Sequence, residues 1–161
     1  MSKSFQKPLM FFLAVFSLSN ISPLLATDDY SAILESNQRS KCFYGYVARK
    51  TGDHASAIRI FEDCIERWQD AYSYIGLAQI YETGVGVEKN LVYANELLRT
   101  AAELEGGYSS LAKYNYALNL FQGIGVDADP ELAAYWMKRS ASEGFSPALE
   151  YLDSNGFNSL N

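Results

Sequence analysis

Two stretches of the chain repeat the same glycine corner: YETGVGVEKN at Tyr81–Asn90 and FQGIGVDADP at Phe121–Pro130. The second stretch restates the first at an interval of 39 residues, which carries Gly84, Gly86 and Val87 to Gly123, Gly125 and Val126. The same interval carries Ala78 to Ala117, Ala94 to Ala133 and Ala102 to Ala141. This agreement predicts an internal repeat in which each unit is a helix, a glycine corner and a second helix.

Capping residues mark where the second helix of each unit begins. Asp129 precedes Pro130 and Glu131, the order expected for an N-cap, a first helical position and an acidic first turn. Asn90 takes the capping position of the earlier unit. Small and apolar residues then recur at helical spacing: Leu91, Ala94, Leu97, Leu98 and Ala101, and later Leu132, Ala133, Trp136, Met137 and Ala141. This spacing predicts one buried face for each second helix.

The glycine corners themselves are predicted to be structural turns and not phosphate cradles. A dinucleotide-binding loop needs a preceding strand and a third glycine, but helices precede both corners, and Lys89 and Ala128 stand where that glycine would be. The Gly-Lys-Ser/Thr of a Walker loop is also missing. Glycine is the residue best able to end a helix in the left-handed conformation and to let the chain double back. We therefore expect Gly84, Gly86, Gly123 and Gly125 to shape the turns, and we expect no cofactor.

The first 26 residues have the pattern of a secretory signal peptide. They contain two lysines and no acids, a short apolar run at Pro8–Leu18, and the small residue Ala26 before Thr27, although Leu24 is bulkier than the residue usual at that position. Cleavage after Ala26 would remove two positive charges, so the net charge of −6 becomes −8. The sequence thus predicts a periplasmic or secreted chain of one domain, residues 27–161, with no integral membrane segment. Such acidity disfavours nucleic acid as a partner.

A hairpin with a tighter turn precedes the two units at Cys42–Trp68, CFYGYVARKTGDHASAIRIFEDCIERW. If Thr51–Asp53 turns the chain between antiparallel helices, Cys42 and Cys64 lie opposite each other, because both are nearly equally distant from the turn. In an exported protein this arrangement favours a disulfide. Two unpaired thiols packed as small apolar groups are the alternative. A last short helix, Ser146–Asn155, is predicted to cap the other end of the chain.

The two units resemble Sel1-like repeats. The stretches that carry the resemblance are SYIGLAQIYETGVGVEKNLVYANELLRTAAE and AKYNYALNLFQGIGVDADPELAAYWMKRSASEG, although Ala78 and Ala117 replace the glycine that the family has before its corner. The earlier hairpin is similar to a tetratricopeptide repeat. The resemblance implies an all-α, short right-handed α/α solenoid. Its units are a hairpin at 39–69, repeats at 72–107 and 111–145, and a capping helix at 146–155.

The resemblance also implies a concave face formed by the first helix of each unit, where a partner would dock. The positions placed there are Arg39, Tyr46, Arg49 and Lys50 in the hairpin, Tyr72, Ile75, Gln79 and Glu82 in the first repeat, and Leu111, Tyr114, Leu118 and Phe121 in the second. Tyr, Arg and Phe contribute strongly to interfaces when they are desolvated. Filling of gaps between repeats is the alternative role for these aromatic residues, and it is favoured for Tyr74, Tyr81 and Tyr93.

Catalytic chemistry finds little support in the sequence. His54 is the only histidine, and with two cysteines it is too little for a structural zinc site or a convincing Ser–His–acid triad. Paired carboxylates for glycoside cleavage remain open, although a short solenoid offers only a shallow cleft. We therefore expect a non-catalytic adaptor that binds another protein. The alternatives are a periplasmic immunity-type inhibitor of a toxin and, less favoured, an enzyme that acts on the cell wall.

Overall fold

The computed structural model describes residues 30–155, and the predicted signal peptide lies outside them. Helices alone form the regular structure of this part: α1 (Ser31–Glu35), a 3-10 turn (Arg39–Lys41), α2 (Cys42–Thr51), α3 (His54–Trp68), α4 (Ala71–Thr83), α5 (Leu91–Glu103), α6 (Ser109–Gln122), α7 (Pro130–Ser142) and α8 (Ser146–Ser154). Successive helices pack as the hairpins α2/α3, α4/α5 and α6/α7, each against the next, and α8 packs on α7. The predicted all-α solenoid is confirmed.

The second helix of each hairpin begins at a side-chain cap. Asn90 accepts a hydrogen bond from the Tyr93 backbone N–H and Asp129 accepts one from Leu132, both at 2.9 Å, as the sequence predicts. Asp53 caps α3 in the same way, through the N–H of Ser56. These caps satisfy donors that would otherwise be orphaned at the helix start.

The glycine corners have the predicted backbone conformation. Gly84 and Gly123 end α4 and α6 in the left-handed region, at φ 71° and 68°. Gly86 and Gly125 also have positive φ, at 81° and 66°. A backbone hydrogen bond closes each corner. The N–H of Asn90 donates to the Tyr81 carbonyl, and the N–H of Asp129 donates to the Leu120 carbonyl. Both corners are therefore tight turns that join the two helices of a hairpin.

The second glycine of each corner also lets two hairpins touch. A Cβ on Gly125 would overlap the backbone carbonyl of Leu91, the first residue of α5. A Cβ on Gly86 would lie 2.7 Å from the Cβ of His54, the first residue of α3. Each corner thus rests on the start of the second helix of the preceding hairpin. His54 packs against the backbone of the first corner at this contact.

The ring of Phe61 links the first hairpin to the first repeat. Phe61 is fully buried, and its ring lies between Gly45 of α2 and Gly76 of α4. A Cβ on either glycine would overlap the ring. The two helices can approach the ring so closely only because both positions lack a side chain.

A disulfide joins Cys42 and Cys64, as the sequence favours. Their Cα atoms are 5.9 Å apart and both residues are buried, so the bridge ties α2 to α3. The bridge closes the loop that contains the Thr51–Asp53 turn.

Two lysines are buried, and no local sequence pattern predicts this. The side chains of Lys41 and Lys113 are each 1% exposed. Lys41 donates to the Leu34 carbonyl and pairs with Asp63 of α3, while Lys113 donates to the Leu104 carbonyl and pairs with Glu143. Each ammonium therefore joins the end of a preceding helix to the second helix of its own hairpin. A buried charge needs such partners to offset its desolvation.

Candidate protein-binding face

Tyr72, near the start of α4, lies at the centre of an aromatic cluster. Its ring meets Phe61 edge-on at 6.4 Å between centroids and packs against Tyr108 at 4.9 Å. Burial raises the pKa of the Tyr72 hydroxyl, Tyr108 and Tyr46 raise it further, and the nearby Arg49 guanidinium opposes them. Side chains from α2, α4 and the α5–α6 loop therefore converge on this residue.

Helix α2 adds aromatic rings and two cations to the same surface. The rings of Phe43 and Tyr46 are 5.9 Å apart, and Phe43 is 59% exposed. The Arg49 guanidinium and the Lys50 ammonium lie 5.7 and 5.6 Å from the centroid of the Tyr46 ring. Cations at this distance are attracted to the electron-rich ring face.

Arg39 closes one edge of the surface. Its guanidinium contacts Asp70 at 2.9 Å, while the second oxygen of Asp70 caps α4 through Ser73. Beside this pair is a groove of about 420 Å³, lined by Arg39, Ser40, Cys42, Phe43, Asp70, Tyr72 and Tyr108. A second hollow of about 440 Å³ continues past Arg39 and Tyr108 to the α5–α6 loop. We call the surface made by Arg39, Phe43, Tyr46, Arg49, Lys50, Tyr72 and Tyr108 the aromatic–cationic face.

The predicted partner-binding residues fall into two groups in the structure. Arg39, Tyr46, Arg49 and Tyr72 come together on the aromatic–cationic face. Gln79 is half-buried further along α4, and Glu82 accepts a hydrogen bond from Asn119 of α6 at 3.4 Å. Ile75 is buried in the core, and Leu111 packs against the core from its edge.

The predicted residues of the second repeat pack largely against the end of the chain. Tyr114 lies 5.3 Å from the ring of Phe145, and Phe121 stacks on Tyr151 of α8 at 5.6 Å. Leu118 contacts the same C-terminal cluster. Phe145 and α8 thus cover side chains of α6 that the sequence assigned to a partner-binding face.

Two exposed aromatic residues of the face were missed by sequence reasoning. Tyr108 is 54% exposed and belongs to the α5–α6 link, where no periodic pattern marks a residue for binding. Phe43 lies one helical turn before Tyr46 on α2, and this spacing was the available signal. Neither could be assigned without knowing that both rings stay exposed once the hairpins pack together.

Carboxylates gather in one other hollow, at the second glycine corner. It has a volume of about 650 Å³ and includes Asp127, Asp129 and Glu131 in its lining. Asp129 already serves as the cap of α7, so the group is explained by helix initiation. Within the described chain, no three His, Cys, Asp or Glu side chains are placed to hold a metal ion. None of the helices over residues 30–155 is long and apolar enough to cross a membrane.

Comparisons with known proteins agree with this architecture. The Sel1 repeat family matches residues 71–105 and 110–145. The structure is similar to that of a Sel1 repeat protein from Oxalobacter formigenes, with 25% identity and a TM-score of 0.64, over 79% of this chain and 96% of that one. It also has the fold of a protective antigen of uropathogenic Escherichia coli described as an SLR fold, at 21% identity and a TM-score of 0.55.

The similarities do not all extend over the whole length of the matched proteins. The alignment with the Escherichia coli antigen covers 75% of this chain but only 30% of that protein. No curated protein sequence matches the chain significantly. Sel1 repeats mediate protein–protein interactions, and the fold is typically non-catalytic. The chain is thus an α-solenoid that contains two consecutive Sel1 repeats.

Proposed function

We propose that this protein is an exported adaptor that binds another protein through the aromatic–cationic face. The observation that carries the proposal is the exposure of Phe43 and Tyr108 beside the half-buried Tyr46 and Tyr72. Large aromatic side chains grouped at an open surface are the residues that supply most binding energy in protein interfaces. Arginine is enriched there for the same reason, and Arg39 and Arg49 flank the group.

The face is also partly ordered before any partner arrives. Tyr72 is fixed between Phe61 and Tyr108, and Arg39 is held by Asp70. The disulfide holds α2, which carries Phe43 and Tyr46, against α3. A preorganised surface loses less side-chain entropy on binding, so more of its contact energy contributes to affinity.

Export is supported by two independent features. The first 26 residues have the charge and hydropathy pattern of a signal peptide. The Cys42–Cys64 bridge is of a kind that persists in oxidising compartments such as the periplasm. We expect the mature chain to begin at Thr27, which sequencing of its N-terminus would check.

In-cell cross-linking tests the binding face. A photo-reactive phenylalanine replaces Tyr108, whose side chain makes no capping hydrogen bond to α6. The control carries the same group at Tyr135 of α7, which is 49% exposed and therefore comparably accessible. We expect cross-linked protein species from position 108 that are missing from position 135.

Two outcomes would contradict the proposal: no cross-link from position 108, or the same products from both positions. Tyr114 is a poorer site for the probe, because it is half-buried whereas Tyr108 is 54% exposed. Mass spectrometry of the captured species then identifies the partner.

A further inference from the structure

Two neighbouring cations on the aromatic–cationic face, Arg49 and Lys50, form no ion pair with a carboxylate in the described part of the chain. Five other cations pair with Asp or Glu: Arg39, Lys41, Arg67, Lys113 and Arg139. No ion pair joins Arg49 or Lys50 to any acid within residues 30–155. Both lie over the Tyr46 ring instead.

This local excess of positive charge contrasts with the chain as a whole. The protein has a net charge of −6, yet α2 contains Arg49, Lys50 and no acidic residue. Among residues 30–155, the other cations without an ion pair are Arg59, Lys89, Arg99 and Lys138, and no two of them are adjacent in the sequence. Arg49 and Lys50 are therefore the pair best placed to receive an anionic group from outside.

Arg49 shows the need for a partner most clearly. Its Nε is buried and has no hydrogen-bond acceptor among residues 30–155, although the residue as a whole is only half-buried. A buried donor without an acceptor is unfavourable, and an ionised acceptor offers the strongest compensation. A carboxylate suits the guanidinium because its two oxygens match two parallel N–H groups.

An apolar groove lies on the same face as these cations. Phe43 and Tyr108 are on its lining with Tyr72, and Arg49 is close enough to Tyr72 to influence the pKa of its hydroxyl. The volume of about 420 Å³ is enough for one or two large side chains. A ligand that fills both parts must place an anion and an apolar group a short distance apart.

We propose, building on the binding function above, that the partner docks through an extended acidic segment. A carboxylate of this segment pairs with Arg49 and Lys50, and a neighbouring aromatic or aliphatic side chain enters the groove beside Phe43 and Tyr108. A nucleic acid fits less well, because its regularly spaced phosphates require several cations and the chain is acidic.

Selection from a phage-displayed library of random dodecapeptides tests the inference. The bait is the protein expressed from its full coding sequence. We expect the enriched peptides to share an Asp or Glu close to a large apolar residue. Their affinity, measured by fluorescence anisotropy, should fall about tenfold with Arg49→Gln, as expected for a charge-assisted bond to a partly buried group. Raising the NaCl concentration should weaken binding further.

The matched control is Arg99→Gln, which removes an exposed, unpaired arginine from α5 and should leave the affinity unchanged. Circular dichroism and the melting temperature of each variant show whether it is folded. The inference is overturned if no peptide is enriched, if the enriched peptides lack acidic residues, or if both substitutions weaken binding equally. The adaptor function survives these failures if the probe at Tyr108 still captures a partner, and it fails separately if that probe captures none.

Discussion

Single glycines set the contact between successive hairpins. Gly106 and Gly125 both have positive φ, but only Gly125 faces a neighbouring backbone, the Leu91 carbonyl. We expect Gly106→Ala to lower the free energy of unfolding by about 1 kcal/mol, the typical penalty for a side chain in the left-handed region. Gly125→Ala should lower it by about 3 kcal/mol, since the added methyl must also push the corner away from α5.

Urea unfolding of the two glycine variants measures this difference. Equal losses would mean that backbone conformation alone matters at the corner. A larger loss at Gly106 would contradict the close approach to Leu91.

Single residues also show what the sequence could and could not predict. The corner glycines and the caps Asn90 and Asp129 follow from local chemistry, so the sequence predicted them. The burial of Lys41 and Lys113 depends on acceptors supplied by distant helices. No local pattern indicates that two such charges lie in the interior.

Pairs of helices are held by the buried lysines, and Asp63 offers the clearest test. Burial acts to raise the pKa of this carboxyl, but the hydrogen bonds and charges of Lys41 and Arg67 outweigh it and hold the pKa below the ordinary 3.8. Asp63→Asn leaves the ammonium of Lys41 buried without its counter-charge. We expect it to lower the free energy of unfolding by about 2–3 kcal/mol at pH 7.

The pH dependence of that loss has a definite sign. Because the folded-state pKa of Asp63 is lowered, its contribution is fully present above pH 3.8 and is lost as the pH falls through the folded-state value. Urea unfolding at pH 7 and pH 3 should show the gap between wild type and variant narrowing in acid. Glu62→Gln, an exposed neutralisation on the same helix, should change little at either pH. A gap that widens in acid would contradict the ion pair.

The sequence predicted which face of a helix is buried better than it predicted which element packs against that face. Three-and-four spacing correctly assigned most of the buried sides of α5 and α7. Leu132 is an exception: the sequence placed it on the buried face, but it lies in the first turn of α7 and is 37% exposed. The placement of Tyr114 and Phe121 against Phe145 and α8 required knowing how far the last helix folds back. That depends on packing between units, which repeat spacing alone does not define.

Over the whole molecule, each unit contacts mainly its neighbours, so stability should vary along the solenoid. Leu152 of α8 is 3% exposed, whereas Leu149 on the same helix is 45% exposed. We expect Leu152→Ala to speed amide hydrogen exchange in α6, α7 and α8 while α2 and α3, tied by the disulfide, exchange as before. Leu149→Ala should leave all helices unchanged.

Hydrogen exchange followed by mass spectrometry resolves these segments. Uniformly faster exchange throughout the described helices would show that the molecule unfolds as one unit. That outcome would overturn the expected independence of its two ends.

The ring of Phe61 has a consequence for how the protein tolerates sequence change. Its ring separates α2 from α4 and fits there only because Gly45 and Gly76 have no side chains. Tyr46 and Tyr72 lie on these two helices, so their relative position depends on this contact. In a saturation mutagenesis screen scored by binding, both glycines should therefore register as binding positions, although neither touches the partner.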